Sequence, residues 1–522
     1  MRPRNWTFYV QLAGFAGFCA FAVAANGWFV WRAAASYRLG DAWLPAVVMG
    51  SIIGPIFIIL SWIISRLFFK IALRKTKSGK SPAPLEIFPE EEVLVAPIFE
   101  APTGGFLATM AVLTCVSLWA IFAWCYQMYY GLAVTGLNNP VFWGFYITNF
   151  VFFIGISHAG TLISAILRIV QAEWRRSITR SAEVITVLVL VFGAGNIILD
   201  LGRPDRALNV FLAGRFQSPL MWDVCSITTY LIGSTLYLYL PLIPDIAILR
   251  DRAQGWRKPL YELLSLNWSG SHEEREVLEK CIAIMAILVI PVAVSVHTVV
   301  SYVFSMTVQP MWHSTIFGPY FVVGAIFSGI AALIIAMAVL RKGYGLENHL
   351  RAIHFENLGK LLLVMCCLWF YFTFSEYLTT WYGGEPEHMV IFNLKISGPY
   401  APAFWLMAVT CFVVPFGVLV SPLGKTVRGT VIASSTVIVG MWLERFLIVV
   451  PTLIRPRLPY TTGGYTPSWV EISLFAGCIS TFVMLYAMFT RVFPIVSIWE
   501  VREGKEQAEG EVVARIRTYF PS

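Results

Sequence analysis

The chain has 522 residues, 57% of them hydrophobic and 13% charged, and its 38 Lys and Arg outnumber 30 Asp and Glu for a formal net charge of +8. Soluble domains carry about 25% charged residues, so a mean hydropathy of +0.70 excludes that class and points to an all-α polytopic membrane protein. In such a chain loop cations set orientation, and no nucleic-acid partner is expected.

Apolar runs long enough to cross a bilayer, about 20 helical residues, occur twelve times, near 10–31, 46–69, 106–130, 141–169, 182–199, 222–242, 281–306, 317–340, 361–381, 403–420, 431–450 and 472–491. The first is longer than a signal-peptide core and lacks a cleavage site, so it reads as a retained span. Residues 70–102 are basic, then Pro-containing, then acidic at Glu90, Glu91 and Glu92, and they separate two spans from ten. The expected organisation is an N-terminal transmembrane hairpin over 1–75, a cytoplasmic linker over 76–104, a ten-span domain over 105–495 and a cytoplasmic tail over 496–522. Cations at 70–80, 168–180, 250–258, 341–360 and 425–428 all fall on the side of a cytoplasmic N-terminus, which makes both termini cytoplasmic. The opposite loops are rich in Pro, Gly, Trp and Tyr. Their exceptional cations, Arg203, Arg206, Arg215, Arg455 and Arg457, fit a docking surface, an anion site or headgroup contact. Ser269 to Glu276, in the long connection 244–280, reads as an N-cap followed by an acidic first turn.

Ionisable residues inside spans are costly and are functional candidates by default. In chain order they begin with His158, reckoned about 15 Å from the Arg168 boundary and so near the midplane. Gly155, Ala159, Gly160 and Ser164 around it are small enough to let neighbouring backbones approach. Its ring suits either a quinone oxygen, with proton transfer at neutral pH, or an interhelical hydrogen bond. Glu183 lies near the cytoplasmic side. Towards the outer half come Asp200 and Arg203 at one helix end, Asp223 at the start of the next, then His297 with Ser301 at i+4 on the same stripe. Glu376, Glu444 and Arg445 follow on later spans. Because adjacent helical residues do not face each other, Glu444 and Arg445 are expected to pair with other helices and not with one another.

The nine cysteines, Cys19, Cys115, Cys125, Cys225, Cys281, Cys366, Cys367, Cys411 and Cys478, lie in apolar stretches without a CxxC pair. They read as core thiols, and no iron–sulfur cluster or other metal site is expected. His272, His313, His349, His354 and His388 fall in loops or interfaces, and His158 and His297 are reckoned to differ in depth, so no haem is expected.

Trp143 to Thr148, continuing through Gly155 to Ser164, resembles the opening helix of the polysulfide reductase membrane-subunit (NrfD/PsrC) family. So do Arg180-Ser181-Ala182-Glu183, Leu201-Gly202-Arg203-Pro204, Trp222-Asp223 and Ser295 to Ser301. Trp312 to Gly329, with Tyr371 to Tyr377 and Trp442 to Phe446, is similar to the ActC-type quinol-oxidising subunit of bacterial alternative complex III. The resemblance covers about 106–491; the two extra N-terminal spans depart from it.

The resemblance implies a core of two four-helix bundles with peripheral helices, in a bacterial inner membrane. Menaquinol would bind near the periplasmic face at His158, Asp200, Arg203, Asp223, His297 and Ser301, with Glu183, Glu376, Glu444 and Arg445 transferring protons. The implied partners are a periplasmic iron–sulfur or molybdopterin-like subunit, cytochrome c subunits and a second NrfD-like membrane subunit. Two other classes suit the same residues, a proton-coupled secondary transporter and a passive membrane anchor of a molybdoenzyme-type complex.

Overall fold

A computed structural model describes residues 87–215, 217–455 and 463–504. The expected spans 10–31 and 46–69, and with them the N-terminal hairpin, lie outside the described residues. Among the described residues the chain is all helical, and ten helices are long and apolar enough to cross a membrane. They match the other ten expected spans one for one.

After a short helix α1 (Glu92–Phe99), the first long helix is α2 (Gly104–Tyr130), begun by Thr103, whose hydroxyl accepts from Phe106 N at 3.3 Å. Then come α3 (Phe145–Ile169), α4 (Thr179–Asp200), a single turn at Asn209–Leu212 and α5 (Pro219–Arg252). The connection after α5 holds α6 (Arg257–Leu264) and the expected cap. Ser271 and Glu274 form a capping box that starts α7 (His272–Ser305), satisfying N–H groups that a helix end otherwise orphans. The chain continues with α8 (Phe317–Gly343), α9 (Ala352–Gly383), α10 (Pro386–Ile396), α11 (Ala401–Val420), α12 (Val427–Leu453) and α13 (Trp469–Val492). Helix α10 lies inside 383–402, where the sequence reads as loop. It packs on α9 and α11 and buries Ile391 and Lys395.

Helices α3, α4, α5 and α7 pack as one four-helix bundle, and α8, α9, α11 and α12 as a second. Helix α3 joins them by lying against α8 and α12, while α2 pairs with α13 at the periphery. The α3–α4 crossing is tight because Gly160 permits it: a Cβ there would lie 1.8 Å from the Ala182 carbonyl oxygen. Basic side chains gather at one end, with Arg168, Arg250, Arg252, Arg341, Lys342 and Arg491 in last turns, where they also complement the helix dipoles.

At that basic end the segment 495–504 is packed down. Ile495, Val496, Ile498, Trp499 and Glu500 are buried, although 496–522 reads from the sequence as a tail. The thiols also divide. Cys225, Cys281, Cys366 and Cys411 are buried as expected, but Cys115, Cys125 and Cys367 are exposed because they sit on outward faces of α2 and α9.

Candidate functional site

The two span histidines meet. His158 on α3 and His297 on α7 have ring centroids 3.6 Å apart with planes at 66°, and both are buried. This overturns the expectation that they differ in depth. Depth was reckoned from the ends of each span, but α7 runs for 34 residues and projects beyond α3 at its start, so span centres are not level. The depth argument against a shared haem falls with it. Touching rings are nevertheless not the opposed axial pair that a bis-histidine haem requires.

All four ring nitrogens of the pair are buried without a hydrogen bond. The Ala293 backbone acts on the His158 ring without reaching hydrogen-bond geometry. Buried polar atoms are otherwise satisfied in the great majority of cases, so four orphans at one point stand out. Like charges this close repel, so the pair has room for one extra proton and not two. Tyr230 on α5 flanks His158 at 5.8 Å between ring centroids, and its hydroxyl donates to the Ser157 carbonyl at 3.1 Å, as does Thr186 Oγ1 at 2.6 Å. The pair is thus held by backbone-anchored neighbours, and its own polar atoms stay uncommitted.

Asp223 lies two turns from Tyr230 on α5, about 10 Å along the helix towards the end opposite the basic one. It is buried, with Oδ1 unpartnered. Ser301, one turn beyond His297 in the same direction, is buried and donates to Thr298 O at 2.7 Å. Helices α5 and α7 pack against each other, with Tyr230 and Asp223 two turns apart on one and His297 and Ser301 one turn apart on the other.

The other expected residues fall in separate places. Arg203 is exposed and paired with Asp205, Nε to Oδ1 at 3.0 Å, and so stands apart. Asp200 ends α4 with Oδ1 unpartnered, close to a second network at α2 and α13. There Gln127 Nε2 donates to Leu199 O at 2.9 Å, Tyr146 donates to Gln127 Oε1 at 2.7 Å, and Tyr465 donates to Glu471 Oε1 at 2.5 Å. Glu183 is buried towards the basic end, where it accepts from Ser164 Oγ at 2.7 Å, itself 3.3 Å from the Tyr237 hydroxyl.

In the second bundle Glu444 accepts from Trp369 Nε1 at 2.6 Å and from the Tyr320 hydroxyl. Contrary to expectation, Glu444 and Arg445 also pair with each other, Oε2 to NH1 at 3.0 Å. These long side chains reach around the helix, where shorter neighbours would diverge. The angle is poor, and neither atom counts as hydrogen-bonded. Arg445 stacks over Phe321 at 4.8 Å, next to Gly324, where a Cβ would lie 2.6 Å from its NH2. Glu376 accepts from Ser314 Oγ at 2.8 Å beside buried Lys395, whose ammonium is pushed down to about 8 by burial, against the pull of Glu376.

Sequence reasoning missed Tyr230, Tyr237, Tyr320, Trp369, Lys395, Glu471 and Asp245. The aromatic hydroxyls are indistinguishable in sequence from interface residues. Lys395 and Asp245 carried a signal, each as a lone charge among apolar residues, in 390–396 and 236–249.

Known proteins are similar to this chain in sequence. The family model described as polysulphide reductase, NrfD, matches residues 133–457, more than half of the chain. A Halobacterium salinarum protein, named as a putative dimethyl sulfoxide reductase membrane subunit, is 25% identical over 75% of this chain and 91% of its own length. A selenate reductase subunit of Mesobacillus selenatarsenatis is 22% identical over 70% of this chain and 88% of its own. The Hdr-like menaquinol oxidoreductase integral membrane subunit of Archaeoglobus fulgidus is 22% identical over 78% and 98%.

Proposed function

The chain belongs to the polysulphide reductase NrfD family, and on that premise we propose that it is the quinone-handling membrane subunit of a multi-subunit oxidoreductase, oxidising menaquinol and passing the electrons to a docked partner. The observation that carries this reading is the His158–His297 pair, four uncommitted ring nitrogens inside a membrane bundle. The relatives support the class: their names make them subunits of reductases and of a menaquinol oxidoreductase.

Quinol oxidation releases two protons and two electrons. A ring nitrogen that makes no hydrogen bond within the protein is available to accept one from a quinol hydroxyl and then to take its proton. Asp223 and Ser301 extend the polar face from His297 and would hold and relay protons towards the end opposite the basic one. On this reading the basic end is cytoplasmic and the other end periplasmic, in a bacterial inner membrane. The electrons leave to an iron–sulfur or molybdopterin-type subunit docked at the periplasmic end, without a redox centre in this chain. Cytochrome c subunits and a second membrane subunit of the same family would complete an assembly like alternative complex III. Ser164, Glu183 and Tyr237 extend the polar line from His158 towards the basic end, and Glu376, Glu444 and Arg445 supply a second line. Both are routes by which protons would cross.

The test is kinetic. His297→Leu and Asp223→Asn should assemble normally yet lower quinol oxidation by roughly 10²–10⁴-fold, the contribution of a positioned general base. Artificial reduction of the partner bypasses this chain and should stay normal. Unchanged quinol oxidation in both assembled variants would sink the proposal and turn attention to transport, measured as substrate uptake into liposomes.

A further inference from the structure

A second pair of histidines meets at the end opposite the basic one, far from the pair inside the bundle. His313 lies in the loop between α7 and α8, and His388, 75 residues later, lies on α10. Their Nε2 atoms are 3.1 Å apart, and their ring centroids 4.7 Å apart with planes at 82°. Glu385, one turn before His388, brings Oε2 to 3.6 Å from His388 Nε2. Two imidazole nitrogens therefore meet at an exposed surface, with a carboxylate oxygen next to one of them.

We propose that these three side chains form a binding site for a divalent cation of the zinc class, with His313 Nε2, His388 Nε2 and Glu385 as protein ligands and water completing the shell. The spacing of the pair fits two ligands on one ion. With each nitrogen about 2.05 Å from a common centre, a 3.1 Å separation corresponds to an N–metal–N angle of about 98°. Ring centroids lie about 1.1 Å behind the nitrogens, so that angle places them about 4.8 Å apart, against 4.7 Å in the structure. The angle falls between the octahedral and tetrahedral values.

A second observation is independent of that spacing. His313 Nδ1 lies 3.1 Å from the Gln309 carbonyl oxygen. A carbonyl only accepts, so Nδ1 carries the proton and Nε2 presents its lone pair towards His388. A backbone carbonyl fixing the far nitrogen is how ligating histidines are oriented. In the neutral pair His388 Nε2–H donates to His313 Nε2; on ligation His388 carries its proton on Nδ1 instead, and in acid an added proton on either ring competes with the ion, which makes binding pH-dependent. Imidazole with carboxylate suits zinc, copper or nickel better than magnesium or calcium.

Among the described residues no three or more His, Cys, Asp or Glu side chains stand in an arrangement that could hold a metal ion as they are. Here the third ligand, Glu385, has a side chain 73% exposed, so a small swing closes the set. His313 is exposed as well, which opens the site to ions in solution. Occupancy would tie the 306–316 loop to α10. Those two segments carry Ser314, bonded to Glu376, and Lys395, beside it.

The experiment uses the full chain in detergent, with Zn²⁺ titrated in competition with a chromophoric chelator at pH 7.5 and Co²⁺ as the spectroscopic probe. The expected result is one Zn²⁺ per chain with d–d absorption on Co²⁺ loading. His313→Ala and His388→Ala should each weaken binding about tenfold or more, Glu385→Ala should weaken it less, and acidification to pH 5.5 should release the ion. His388→Cys keeps a metal-ligating side chain and should retain binding, which separates lost ligation from lost folding. Failure of the wild-type chain to take up Zn²⁺, or equal uptake by the His313→Ala/His388→Ala double variant, would overturn the assignment.

Discussion

Two buried polar regions of the first bundle differ in how far they are satisfied. At its centre, His158 and His297 touch each other and leave all four ring nitrogens without a hydrogen bond. At its basic end, both carboxylate oxygens of Asp245 are engaged: Oδ1 by Trp499 N at 2.9 Å, and Oδ2 by Arg180, by Ile498 N at 3.2 Å and by Ser497 Oγ at 3.3 Å. Arg180 also donates to Pro241 O at 2.8 Å. Close by, Glu500 meets Arg168 at 2.9 Å, Thr179 at 3.0 Å and Arg175 at 3.4 Å. A nearly saturated network fixes chain geometry. An unsaturated one keeps its hydrogen-bonding capacity for something else. Burial alone would have ranked the two regions equally.

That contrast can be broken experimentally, beginning with the largest effect on stability. Asp245→Ala leaves Arg180 as a buried charge without its partner and should destabilise by about 3–5 kcal/mol. The measurements are the thermal midpoint in detergent and protease access to 495–504; a wild-type midpoint would show that the latch is dispensable.

Lys395→Met comes next, with the opposite sign. Burial lowers the Lys395 ammonium from 10.5 to about 8. Between those values the unfolded chain binds a proton that the folded chain does not, so stability rises with pH across that window, and the full cost remains below pH 8. Lys395→Met should therefore stabilise by up to about 3 kcal/mol at pH 7, with a gain that shrinks as pH approaches 10.5. A gain independent of pH would show that the charge is not its cause.

Glu500→Gln should cost about 1.5–3 kcal/mol, the usual worth of charge-assisted hydrogen bonds. Burial opposes the Glu500 charge, but Arg168, Arg175 and Arg180 hold its carboxyl below the ordinary value. The carboxylate's contribution is therefore present above the unfolded-state pKa and is lost as pH falls through the folded one. The wild type and the variant should converge in acid, and a gap that persists there would point to lost packing.

The smallest stability effect is expected at the unsaturated site. His158→Leu removes ring nitrogens that make no hydrogen bond in the protein, so stability should change by no more than about 1 kcal/mol. Quinol oxidation should nonetheless fall, by less than in His297→Leu if His158 serves only proton passage. A large loss of stability with normal turnover would reverse the roles given to the two regions.

The amino-acid sequence by itself determined the class, the family resemblance and the ten described spans, because bilayer thickness fixes how long an apolar run must be and 20-residue runs are unambiguous. It also placed an N-cap and an acidic first turn within Ser269 to Glu276, a local signal that the Ser271–Glu274 capping box bears out. It identified His158, His297 and Asp223 as costly residues worth explaining, since that cost depends on residue type and depth. Which of them meet was decided by the tertiary structure. The contact between His158 and His297 depends on how α3 and α7 cross and how far each extends. Arg203 turned out to be solvated, and Glu444 and Arg445 folded onto one another, because long side chains choose partners by three-dimensional reach and not by helical phase. The 313–388 pair spans 75 residues and two helices, and spacing along a chain carries no information about such a meeting until packing has closed the distance.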